Sequence, residues 1–135
     1  MTDPKVALRG LLEEGWALDF KPAFSTDWYD AGSRMPQVVV SQVYTQPRRL
    51  GFSEEPSAAR RRFEASYAVD VWSPGDQERR WRMTREVDRI IQSRCDSPGG
   101  GMESAEVSGW RDLDEGATHP RLYRSRVTVN VLYYG

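Results

Sequence analysis

The chain has 135 residues, 39% of them apolar and 29% charged, which excludes an intrinsically disordered chain and leaves room for one core but not two. Nineteen Lys and Arg against twenty Asp and Glu give a net charge of −1, so the overall basic excess that a duplex-binding domain uses is absent and only a local patch could serve. Cys95 is the sole cysteine, the first nine residues do not read as a signal peptide, and no apolar run approaches the ~20 residues of a membrane span, so a soluble protein made inside the cell, without an internal disulfide, is expected.

Asp3-Pro4 reads as an N-cap followed by proline at the first helical position, and Leu8, Leu11 and Leu12 recur at helical spacing before Gly15, which predicts a short amphipathic helix over 4–14. Residues 16–36 mix Phe20, Phe24, Trp28 and Tyr29 with Pro22, Asp30, Gly32, Ser33 and Pro36, and are expected to be irregular, with the rings packed on the core or on a neighbour. Val38 to Tyr44 is β-branched and predicts a strand; residues 45–59, with Pro47, Gly51 and Pro56, predict a second loop. From Phe63 the alternation sets Phe63, Ala65, Tyr67, Val69 and Val71 on one face and Glu64, Ser66 and Asp70 on the other.

Ser73-Pro74-Gly75-Asp76 resembles a capping box with Ser73 as cap and Pro74 at the first helical position. The helix it predicts, from 74 to 94, carries Met83, Val87, Ile90 and Ile91 in one stripe. Residues 102–113 predict a strand ending at the turn Asp114-Glu115-Gly116, and Leu122 to Tyr134 predicts a last strand with Tyr123, Ser125, Val127, Val129, Val131 and Tyr133 on one face and Arg124, Arg126, Thr128 and Asn130 on the other. The expected fold is α+β: a four-stranded, mostly antiparallel sheet packed on one long helix, with a short N-terminal helix, in a single domain over residues 1–135.

No set of residues points to catalysis. His119, the only histidine, precedes Pro120 in an expected turn, and nothing in the sequence brings it to Cys95. Ser97-Pro98-Gly99-Gly100-Gly101 runs from helix to strand and carries no Lys, unlike a phosphate-binding loop, so it reads as a flexible connection. Asp112, Asp114 and Glu115 lack the alternating oxygen pattern of a calcium loop. The clusters Arg48-Arg49, Arg60-Arg61-Arg62 and Arg79-Arg80 read first as solvated charge. No enzyme activity, cofactor or metal is expected, and Trp28, Tyr29, Trp72, Trp110, Arg124 and Arg126 are the candidate interaction residues.

The pieces Val6 to Leu12, Pro36-Gln37-Val38-Val39-Val40, Val69-Asp70-Val71-Trp72-Ser73, Trp81 to Arg94 and Arg124 to Tyr133 resemble, in length and order, the tail terminator or tail-completion (head–tail joining) proteins of tailed viruses. The resemblance implies a virion structural protein of the head–tail junction, assembled in the host cytoplasm. Its form would be a ring of copies of itself, commonly six, that caps the tail tube, meets the head connector or head-closure protein, and lets DNA pass through its lumen unread. The final strand is rich in Val and Tyr, so an edge position would make it a natural seam between subunits. Rival readings are a neighbouring connector protein (an adaptor or head-closure ring) and a small nucleic-acid-binding module using Arg124, Arg126 and Tyr134.

Overall fold

The computed structural model describes residues 3–48, 62–114 and 121–134. The elements run α1 (Pro4–Gly15), β1 (Ala23–Thr26), β2 (Gln37–Arg48), β3 (Arg62–Pro74), α2 (Gln77–Ser93), β4 (Met102–Asp112) and β5 (Leu122–Tyr134). The strands form one mixed sheet in the order β1-β2-β3-β5-β4. β1 pairs parallel to β2, and every other neighbour is antiparallel.

The sheet therefore has five strands where four were expected, and two helices rather than one supply its cover. The fifth strand, β1, lies inside the segment 16–36 that was expected to be irregular. A strand of four residues is too short to display a period of two, and its partner is more than ten residues away, so nothing local marks it. α1 is no appendage either: Leu8, Leu11 and Leu12 join Met83, Val87, Ile90 and Ile91 of α2 in one core over Val38, Val40, Tyr67, Val69, Val71, Val127, Val129 and Val131. All these side chains are on the same face of the sheet, as the alternation in β2, β3 and β5 dictates.

β2 continues through 45–48, the start of the segment read as a loop; residues 49–61 lie outside the described residues. Pro47 is tolerated because β1 pairs only with Gln37 to Val40, so past that point β2 has an open side among the described residues. β3 also runs further than expected, through Pro74, which pairs with Leu122. The chain turns at Gly75, whose φ of 75° is costly for a residue with a Cβ, and the cap of α2 is Asp76, not Ser73. The Asp76 carboxylate accepts the Arg79 N–H at 2.9 Å. Ser73 is taken up otherwise: its hydroxyl donates to the Asp76 carbonyl and accepts from Arg79 Nε at 2.8 Å. At the other end of the chain, Asp3 caps α1 through the Lys5 N–H with Pro4 following, as the sequence implied.

β5 is not an edge. It lies between β3 and β4, and the edges are β1 and β4. The reason is the crossover through α2: β4 leaves the helix on the far side of the position that β5 fills last.

Candidate interaction surface

Two regions gather the side chains singled out from the sequence. The first is the face of the sheet turned away from the helices. Pairing places Gln37, Trp72 and Arg124 on one row across β2, β3 and β5, and Val39, Asp70 and Arg126 on the next. Asp70 is buried, and both arginines close on it: Arg124 Nη2 donates at 2.7 Å, and Arg126 donates through Nε at 2.9 Å and Nη2 at 3.1 Å. This fork geometry is the strong form of a charge-assisted pair, and it holds the Arg126 guanidinium above its usual range, first through the hydrogen bond it donates to Asp70. The Arg124 guanidinium also lies over the Trp72 ring, 4.4 Å from its centre. Tyr29 stacks on that ring at 4.0 Å and 12°.

Four of the six candidate residues thus form one chain of contacts: Tyr29 stacks on Trp72, Trp72 carries Arg124, and Arg124 shares Asp70 with Arg126. Trp72, on the polar face of its strand, is only 7% exposed, because the segment after β1 folds back over it. The Asp30 N–H and carbonyl clamp the Gln37 amide at 2.9 and 2.8 Å and fix that segment. Asp70 was legible as a member of the polar face of its strand, but its role as the shared partner of two arginines depends on which strands lie side by side.

The second region comprises the two sheet edges. Trp28, 81% exposed, follows β1, and its main-chain carbonyl accepts the Ser25 hydroxyl at 3.1 Å. Trp110, 51% exposed, is on β4, on the helix face, because it pairs with Val127. Trp81 of α2, also exposed, stands across from it, and between them runs an open groove of about 300 Å³ lined by Arg80, Thr84, Arg85 and Asp112. Trp81 was missed as a candidate because an aromatic on an amphipathic helix does not announce which side it faces; it lies off the Met83–Val87–Ile90–Ile91 stripe, and that offset was the signal available.

The possible cation site resolves into an ion pair. Arg80, buried, points into the angle between Asp112 and Asp114 at 3.3 and 2.5 Å and fills the place that a cation would take; Glu115 lies outside the described residues. Among the described residues no group of three His, Cys, Asp or Glu side chains converges. His119 also lies outside them, so its relation to Cys95 is not part of the described structure. Of the arginine clusters, Arg62 pairs with Glu103 at 3.0 Å and Arg79 donates to the Pro74 carbonyl at 2.9 Å, at opposite ends of β3. The glycine run is shaped rather than slack: Gly99, Gly100 and Gly101 all have positive φ, and the Gly99 carbonyl accepts from Met102 at 3.0 Å. No helix among the described residues is long and apolar enough to cross a membrane. No protein-family model matches this chain, and no curated protein matches it.

Proposed function

We propose that this chain is a structural subunit of the head–tail junction of a tailed virus, a tail terminator that works as a ring of copies of itself capping the tail tube. The observation that supports this reading is the distribution of exposed aromatics. Among the described residues the three exposed tryptophans lie by the two sheet edges, Trp28 by β1 and Trp110 with Trp81 by β4, and Val43 and Tyr44 are bare on β2 beyond the end of β1, while Asp70 on the polar face is taken up by Arg124 and Arg126. A surface built to hold a partner at its rims and nothing at its centre fits an assembly subunit.

A nucleic-acid module on the sheet face has less support, because Arg124 and Arg126, the cations it needs, both already pair with the one buried Asp70 carboxylate, which leaves a single net positive charge there. In the ring, DNA would pass through the lumen without being read. Removing the protein from an assembling virus is the test. Tails that overgrow, or accumulate unjoined beside filled heads, are the expected result. Tails of normal length that join heads normally overturn the reading.

A further inference from the structure

The geometry points to the seam between subunits: β1 of one copy adds antiparallel to β4 of the next, Phe24 opposite Asp112 and Thr26 opposite Trp110, with Ser25 and Trp28 of the first copy meeting Arg111 of the second. This rests on the reading of the chain as a self-assembling ring subunit and specifies the surface that such a ring would use.

The first argument is register. Followed strand by strand, the pairings place Thr26, Val40, Val69, Val127 and Trp110 on one row, Ser25, Val39, Asp70, Arg126 and Arg111 on the next, and Phe24, Val38, Val71, Ser125 and Asp112 on the third. The short strand β1 therefore lies level with the last residues of β4, at the opposite edge. A copy placed beside another by continuing the sheet meets it without slipping along the strand, and side chains of the two copies keep to the same faces.

The second argument is the direction of the backbone groups. Ala23 donates to the Pro36 carbonyl and Asp27 to the Val40 carbonyl, so by alternation Phe24 and Thr26 turn their N–H and C=O away from β2. Leu113 donates inward to the Arg124 carbonyl, so by the same alternation Arg111 faces β5 while Trp110 and Asp112 face outward. Outward groups on one edge thus fall opposite outward groups on the other. The Thr26 carbonyl already accepts the Trp28 N–H at 2.8 Å, and its second lone pair remains for the neighbour. β1 runs parallel to β2 and β4 antiparallel to β5, and following these directions through the sheet makes the new pair antiparallel.

The third argument is chemical complement. Arg111 is exposed and in no salt bridge among the described residues, and on the open face its row ends at Ser25, whose hydroxyl holds the carbonyl of the bare Trp28. A guanidinium meeting an indole face is a favourable contact, and Asp30, also in no salt bridge among the described residues, follows two residues later. On the helix face the contact sets α1, which packs on β1 and β2 and leaves Val6 exposed, beside the Trp81–Trp110 groove. Because the two edges differ, each copy offers one and accepts one, the head-to-tail arrangement that closes into a ring when its rotation closes.

The test is a disulfide across the seam. In a Cys95→Ser background, Ser25→Cys with Arg111→Cys places the two thiols in a non-hydrogen-bonded antiparallel pair, where Cα atoms are about 4.5 Å apart and a disulfide can form. Within one chain the same positions lie four strands apart, about 19 Å, and cannot join. Thr26→Cys with Glu106→Cys, out of register, is the control. The proteins are oxidised alone and on purified tails, run without reductant, and weighed intact. The expected result is a ladder of linked subunits from the matched pair that ends at one closed species, and none from the control. A second variant, Arg111→Glu, should weaken self-association tenfold or more while leaving the melting temperature unchanged. Assembly by mass without a ladder from the matched pair overturns this seam and leaves the ring reading standing. A ladder that grows without limit into filaments keeps the seam and removes the ring. A protein that stays monomeric and unlinked, alone and on tails, overturns both.

Discussion

Asp70 is 6% exposed; its Oδ1 accepts from Arg126 and its Oδ2 from both Arg124 and Arg126. Removing it leaves two guanidinium groups without their shared acceptor. Both arginines retain partial access to water, so the loss falls short of that for a fully buried pair: Asp70→Ala is expected to destabilise by roughly 2–3 kcal/mol, read from urea unfolding. A loss within experimental error would show that solvent replaces the pair freely. Glu86 makes a second prediction. Its carboxylate takes two hydrogen bonds from Arg89 at 2.7 and 2.9 Å and the Ala17 N–H at 2.6 Å, and it ties α2 to the chain leaving α1. The Arg89 bond above all holds it below the usual carboxylate range, against burial, which pushes the other way. With the folded value depressed, its contribution is complete above the unfolded value of about 4.3 and is lost as pH falls through the folded value. Urea midpoints should therefore drop between neutral and acid pH, and Glu86→Gln should drop less over the same interval. Parallel loss in both proteins would assign the acid limb to other groups.

At the scale of elements, α2 depends on its apolar stripe, since Met83, Val87, Ile90 and Ile91 are at most 2% exposed while its remaining faces are largely Arg, Glu and Asp. Ile91→Ala should cost roughly 2–5 kcal/mol through lost burial and the cavity left behind, measured by thermal or urea unfolding. The connection from α2 to β4 is a second structural joint. Gly100 has φ of 61°, and a Cβ there would stand 2.6 Å from the Ala7 Cβ of α1. Gly100→Ala combines a left-handed backbone with a clash, for an expected loss of roughly 1–3 kcal/mol. Adding Ala7→Gly should recover only the part due to the clash. Full recovery would mean that the backbone conformation carries no cost.

For the whole molecule, stability should be graded across the sheet. β3 is hydrogen-bonded along both sides, to β2 and β5, whereas β1 is four residues long with one neighbour. Amide exchange is therefore expected to be slowest in β3 and fastest in β1, because edge amides open without breaking the core. If the seam is as inferred, the outward amides of Phe24, Thr26, Trp110 and Asp112 become protected on assembly while β3 is unchanged. Protection arising elsewhere, with these four still fast, would place the contact on another surface.

α1 with its Asp3-Pro4 start, the buried stripe of α2, and the alternation of β3 and β5 are legible in the residue order alone, because in each the signal is periodic and lies within one element. The residue order also carried the arginines and aromatics of the open face, though not their grouping. That Phe24 belongs to a strand, that β4 and not β5 is the edge, that Arg124 and Arg126 share Asp70, and that Arg80 closes the gap between Asp112 and Asp114 emerge with the folded arrangement of the strands. The reason is the same in each case. Strand order and side-by-side placement are set by contacts between segments distant in the chain, 54 and 56 residues apart for the Asp70 pairs, and pairing at that range leaves no period for the local sequence to display.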